Sequence, residues 1–320
     1  MKLLLQIALF TFVISTFGQT NNPVVKKDAS YEVLVDKDIT YATGLSHKNI
    51  NSNSAKEIPL MLDVYTPKNN IKNRPTIMLI HGGGFKGGTK EHKHIVKIAK
   101  YFTSRGWVAI SINYRLQRHK GTVPQEWIDN AKKIAKERSR QFLAIYPAIR
   151  DAKAALRWVV ANAKTYHINT NHITVGGGSA GAITAIALGI SDQKDYKDEI
   201  NKTQDKTLTT TNLDKTFQVK TILDFWGGKT GLDILKFLYN KDSFHVNNPS
   251  LFIAHGTKDP TVPFSKATEL KTIYEKNGVS LAFYPLKEKG HGAWNATINN
   301  KKLENLAFDF IVEQQKLIIK

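Results

Sequence analysis

Cysteine is absent from all 320 residues. Disulfides and thiolate zinc sites are thereby excluded, as is a lipid-anchor cysteine behind a leader. Acidic residues are scarce, 27 against 46 Lys and Arg, for a formal charge of +19. A field of that sign draws anionic surfaces and polymers. The lysines are scattered, however, with no tight Arg cluster and no interleaved aromatics, so the chain carries no nucleic-acid motif. A lysine-rich face on a soluble protein is the simpler reading, and attraction to anionic polymers or the cell envelope the lesser one. Internal repeats and dividing linkers are also missing. Apart from Leu3 to Phe17 there is no long apolar run.

That run follows the basic Lys2 and leads into Thr16, Gly18 and Gln19. The pattern is that of a secretory signal peptide, too short and wrongly flanked for a stable membrane span. We expect cleavage near Gly18–Gln19, with residues 1–18 as the leader and 19–320 as one domain. A secreted or periplasmic product follows, bacterial by its lack of cysteine.

Behind the leader, strand and helix patterns alternate. Tyr31 to Val35 and Leu60 to Tyr65 alternate apolar and polar residues, as half-buried strands do. Continuous apolar runs at Ile77 to Ile80, Val108 to Ile112, Ile173 to Val175, Val219 to Phe225, Leu251 to Ala254 and Leu281 to Tyr284 suit strands covered on both faces. Helical spacing marks the stretches 95–102, 151–163, 182–190, 264–277 and 301–315. The class is α/β, a mostly parallel doubly wound sheet with an antiparallel N-terminal edge. Two stretches interrupt the alternation. Residues 117–147 hold a basic helical segment and form the one cap candidate. Residues 191–216 are polar, have little to bury, and read as a mobile surface loop.

Two motifs carry chemistry. Gly177-Gly178-Ser179-Ala180-Gly181 directly follows a strand and opens a helix, the elbow that lifts a serine above a sheet edge. His81-Gly82-Gly83-Gly84-Phe85 follows an earlier strand, and its glycines allow backbone N–H groups to face a developing oxyanion. The expected donors are Gly83, Gly84 and Ala180, with His81 ordering the loop. Gly176, Gly178 and Gly181 also suggest a dinucleotide turn, but no acidic residue follows at the ribose position. A serine needs a base, and an acid should precede that base in the chain. His291, between Gly290 and Gly292, is the expected base, and Asp259 the expected acid. His255 reads as structural, and Asp224 is the substitute acid. Phe85, Tyr114, Trp226 and Trp294 flank these motifs and are candidates to line a pocket.

The chain resembles the hormone-sensitive-lipase-like, bacterial esterase/lipase group of the α/β-hydrolase superfamily. The resemblance rests on His81 to Gly84, Asn113-Tyr114-Arg115-Leu116, the stretch Asp151 to Trp158, the serine elbow, Asp259 and His291. It implies a carboxylesterase with Ser179, Asp259 and His291 as its triad, no cofactor and no metal. Arg115, Asp151 and Arg157 would then be structural, ion-paired beneath the sheet edge. Two departures stand out: Gly178 occupies the position often held by an acidic residue, and large N-terminal cap helices are missing. Ester substrates are expected to be small molecules or linked to polysaccharide, with acetyl or feruloyl groups included. A serine peptidase or amidase, or a non-catalytic binding protein, is the rival use of the same scaffold. A histidine base predicts a rate that falls on acidification through roughly pH 6–7, where imidazoles commonly protonate. A rate profile flat down to about pH 4 contradicts it.

Overall fold

A computed structural model describes residues 22–320. The expected leader and its Gly18–Gln19 cut lie outside the described residues. Eight strands form the central sheet: β1 (Val33–His47), β2 (Ala55–Pro67), β3 (Arg74–Ile80), β4 (Val108–Ile112), β5 (Ile168–Gly178), β6 (Thr221–Phe225), β7 (Ser250–Gly256) and β8 (Leu281–Leu286). Their spatial order is β1-β2-β4-β3-β5-β6-β7-β8. β1 pairs antiparallel with β2, and β2 with β4, while the remaining pairs are parallel. The doubly wound sheet with an antiparallel N-terminal edge is therefore present.

Helices cover both faces. α1 (Lys93–Thr103) and α8 (Leu303–Gln314) lie on one side, where Ile95, Phe102, Phe308 and Phe310 pack on Ile77, Leu79 and Phe252. On the other lie α2 (Gln125–Ala135), α3 (Ser139–Leu143), α4 (Ile145–Ala161), α5 (Ala180–Ile190), α6 (Thr230–Tyr239) and α7 (Ser265–Lys276), built over Met78, Ile80 and Val175. β3 and β4 are buried at every residue, the expected consequence of a parallel strand covered twice. α5 approaches β3 so closely that a Cβ on Gly181 would lie 2.1 Å from the Ile80 carbonyl oxygen. That contact sets the serine elbow against the end of β3.

Of the elements that differ from the sequence reading, three stand out. β1 runs on to His47, because register shifts between Asp36 and Ile39 and between Thr40 and Ala42 break the two-residue alternation. α4 begins at Ile145 and not at Asp151. Pro147 falls in its first turn, where the missing N–H has no intrahelical acceptor to lose. α6 was not anticipated at all.

The stretch 191–216 is the main correction. It is not a loose surface loop: Asp195, Tyr196, Ile200, Asp205 and Leu208 are buried, and Lys206–Thr210 forms a 3₁₀ turn. α4 holds it with three cations on one face. Arg150 donates to the carbonyls of Lys197 and Ile200, each at 3.3 Å. Lys153 donates to those of Asp192 at 2.6 Å and Asp195 at 2.8 Å. Arg157 donates to that of Thr211 at 2.8 Å. Asp205 adds its carboxylate 3.7 Å from Arg115, which is itself paired with Asp151 at 2.7 Å. The expected pairing of Arg115 with Asp151 is thus present, whereas Arg157 binds a carbonyl and not an acid.

Complete burial pushes the Lys153 ammonium down to about 7. A neutral amine keeps two N–H donors, enough for both carbonyls. An unfolded lysine titrates near 10.4, so the unfolded chain binds the extra proton between these values. Stability from this site therefore rises with pH across that interval and is flat below it. Lys153→Met leaves the buried Asp195 carbonyl unpaired, while Asp192 O keeps the Asp195 N–H at 3.1 Å, and should cost about 1–3 kcal/mol. Thermal melts from about pH 7 to 10 should show the wild type gaining on the variant as pH rises. A constant difference contradicts the assignment.

Candidate active site

Ser179 sits between β5 and α5 with φ 57° and ψ −121°, a backbone conformation that L-residues resist. Its N–H donates to the Phe225 carbonyl at 2.9 Å, and its carbonyl accepts the Ile183 N–H at 3.0 Å. The strain is thus held by β6 on one side and by the first turn of α5 on the other. The hydroxyl is left half-buried at the C-terminal edge of the sheet.

His291 reaches it from the loop after β8. Its Nε2 lies 3.0 Å from Ser179 Oγ, and its Nδ1 lies 2.7 Å from Asp259 Oδ2. The network fits one tautomer, with Nδ1–H donating to the carboxylate and Nε2 accepting from the hydroxyl. Asp259, on the loop after β7, is buried. Its other oxygen accepts the Thr261 and Val262 N–H groups at 2.8 and 3.0 Å. Burial pushes the Asp259 carboxyl up, but hydrogen bonds from His291, Val262 and Thr261 outweigh it and hold the group below the usual carboxylate range. His255 donates from Nε2 to the Val262 carbonyl at 2.9 Å and so braces the same loop. Asp224, the substitute acid, accepts the Gly227 N–H at 2.6 Å and makes no contact with His291. Burial pushes it up to about 7.

The glycine loop after β3 has its carbonyls anchored one after another. In a trans peptide, fixing the carbonyl fixes the N–H opposite it. Gly82 O accepts from His81 Nδ1 at 2.7 Å, which orients the Gly83 N–H. Gly83 O accepts the Lys86 and Gly87 N–H groups at 3.0 and 3.1 Å, which orients the Gly84 N–H. Gly83 and Gly84 take φ values of 108° and 61°, which only glycine adopts cheaply. Ala180 opens α5, so its N–H has no intrahelical acceptor. His81 is buried, pushed down to about 4 by that burial, and stacked on Tyr114 at 4.4 Å between ring centroids. It orders the loop and stays neutral.

Gly84, Ser179 and Ala180 open on a cavity of about 540 Å³. Its apolar wall includes Phe85, Ile134, Phe142, Ile183, Ile234 and Phe237, with Arg138 and Lys266 also lining it. The stretch 117–147 therefore covers one side of the serine, through α2 and α3. Of the four aromatics expected to line a pocket, Phe85 does. Tyr114 is buried behind His81 and donates to its carbonyl at 2.9 Å. Trp226 and Trp294 pack edge-on at 4.6 Å on the histidine side, away from the cavity wall. Among the described residues, no group of His, Asp and Glu is arranged to hold a metal ion.

More than half of the chain, residues 62–135 and 137–249, matches the BD-FAE family model. The chain belongs to the BD-FAE family. This is an esterase family of the α/β-hydrolase type. Among curated proteins, the chain is 21% identical over 258 residues to Esterase LipQ of Mycobacterium tuberculosis, across 75% of this chain and 55% of that protein. It is 32% identical over 118 residues to Juvenile hormone esterase of Heliothis virescens, across 37% of this chain and 18% of that protein. The chain thus spans about half, or less, of these relatives. Among solved structures, the propionate-bound thermophilic esterase Est2 of Thermogutta terrifontis shares the fold with a TM-score of 0.59 at 21% identity, across 89% of this chain and 94% of that one. The same esterase phosphoramylated by tabun gives 0.57 at 21% identity, across 85% and 94%.

Two features escaped the sequence reading. α6 supplies Ile234 and Phe237 to the cavity; the apolar spacing of Leu232, Leu235 and Leu238 was its signal. Gln141, on α3, donates from Nε2 to Gly84 O at 2.8 Å and so ties the covering helices to the glycine loop. No short motif announces such a contact. Gln141→Leu frees that peptide and should lower kcat about tenfold with a smaller change in KM. Steady-state kinetics on an activated ester check this, and an unaltered kcat contradicts it.

Proposed function

We propose that the protein is a serine carboxylic-ester hydrolase, exported after loss of residues 1–18, that works through an acyl-enzyme. The observation that carries this reading is the continuous contact from Ser179 Oγ to His291 Nε2 and from His291 Nδ1 to Asp259, opening on an apolar cavity. Membership of the BD-FAE family supports ester chemistry in particular. Ser179 Oγ bonds to the ester carbonyl carbon while its proton passes to His291 Nε2. The oxyanion takes the N–H groups of Gly83, Gly84 and Ala180, and Asp259 steadies the imidazolium. The carbon–oxygen bond to the alcohol then breaks, and His291 returns its proton to the leaving oxygen. Water repeats the sequence, its proton going to His291 as its oxygen bonds to the acyl carbon. The acid leaves, and Ser179 recovers its proton.

A cavity of about 540 Å³ with a largely apolar wall exceeds what an acetyl group fills. This favours an acyl group of several carbons or an aromatic one, on a small-molecule or polysaccharide-linked alcohol. Loss of Lys2 with the leader leaves a formal charge of +18, which suits substrates attached to anionic polymers. No helix among the described residues is long and apolar enough to cross a membrane.

A series of p-nitrophenyl esters of rising acyl length, run beside acetylated and feruloylated sugars, tests the reading. Turnover should rise beyond the acetyl ester, and Ser179→Ala should lower it by about 10⁴-fold or more. Equal hydrolysis by Ser179→Ala, or a matched amide cleaved as fast as the ester, contradicts it.

A further inference from the structure

Gly178 stands directly before Ser179, and the indole of Trp294 occupies the space its side chain would take. A Cβ on Gly178 would lie 2.6 Å from Trp294 Cζ2 and 3.1 Å from Cη2, with Trp226 Nε1 at 3.2 Å. An indole is rigid and cannot bend away from such a contact, so any larger residue at 178 must displace it.

Trp294 lies just beyond His291 on the same loop. Its half-buried ring packs against other elements. It stacks on His94 of α1 at 5.4 Å with 13° between planes, and it packs against Phe225 at 5.1 Å and Trp226 at 4.6 Å. The loop backbone has little else to hold it. Lys258 N–H secures the Lys289 carbonyl at 2.9 Å. Beyond that, the backbone–backbone bonds from Gly290 to Ala296 among the described residues are internal to the turn: Trp294 to Gly292 at 2.8 Å and Ala296 to Ala293 at 2.9 Å. The loop's start lies against Gly256, where a Cβ would meet Lys289 O at 2.4 Å; beyond it the imidazole is located by its own bonds to Asp259 and Ser179, by the edge of Trp226 at 6.4 Å and by the anchored indole.

We propose that Trp294 is a positioning residue for His291, and that position 178 is glycine because it is the seat of that indole. Ser179 and His291 thereby share one packing contact: the residue before the serine receives the side chain that fixes the histidine loop. The inference rests on the role given above to Ser179 and His291. It also explains why this elbow carries no acidic residue before its serine.

A double-mutant cycle tests it, with Gly178→Ala, Trp294→Leu and the pair, on a p-nitrophenyl ester. Displacing the base by about 1 Å should lower kcat about a hundredfold in each single variant, with KM within about twofold. The pair should be no slower than Trp294→Leu alone, because with the indole gone the only tight contact left to alanine is Trp226 Nε1 at 3.2 Å, which a small shift relieves. Fluorophosphonate labelling of Ser179 should slow in parallel. Additive losses, or a Gly178→Ala enzyme with wild-type kcat, overturn the proposal. Should Gly178→Ala fail to fold, Trp294→Leu decides alone, and unchanged kcat and labelling in a cooperatively melting protein overturn it. Ser179→Ala separates the two levels. A wild type that does not depend on Ser179 sinks the active-site reading itself, whereas a Ser179-dependent wild type with indifferent position 178 and 294 variants sinks only the positioning role.

Discussion

A single hydrogen bond, from Ser179 Oγ to His291 Nε2 at 3.0 Å, joins residues 112 positions apart in sequence. Its length tolerates little error, so the sheet must deliver two loops to one edge in register. Parallel pairing of β5 through β8 does this, because every strand end then points the same way. The close approach of Gly181 to Ile80 O and the Phe225 carbonyl that accepts Ser179 N–H fix the serine's end of the bond. The unfavourable φ of Ser179, of a kind that costs about 1–3 kcal/mol, persists because both neighbours over-determine it.

The other end is assembled from loops. Asp259 is buried with acceptors filled by Thr261 and Val262, and His255 braces the same turn from beneath. Each group is held by a neighbour whose own position is fixed by β7. The glycine loop follows the same logic, with each carbonyl tied down so that the opposite N–H stays aimed. Gln141 extends that scheme to the helices that cover the cavity. Cavity wall and donor loop are consequently one mechanical unit.

Much of this was legible in the sequence. Ser179, His291 and the glycine run announce themselves through their flanking glycines and their places after apolar strands. The order of serine, acid and histidine favours Asp259 over Asp224 as the acid, and the structure puts Asp259, on the loop after β7, against His291, with Asp224 inside β6. What stayed hidden had no sequence period to reveal it. Arg157 is expected in an ion pair, and nothing in the sequence singles out Arg150 or Lys153, yet all three bind backbone carbonyls, and a carbonyl leaves no trace in residue identity. That is why 191–216 looked loose and is in fact packed. Trp226 and Trp294 were plausible pocket walls by proximity, but their rings turn to the histidine loop instead.

The account stands or falls on whether Ser179 reacts with its oxyanion aimed at the glycine loop. A crystal structure of the protein after treatment with a fluorophosphonate measures this directly. The account predicts phosphorus bonded to Ser179 Oγ and the phosphoryl oxygen about 3 Å from the N–H groups of Gly83, Gly84 and Ala180. An adduct on another residue, or a phosphoryl oxygen turned away from those donors, would contradict it.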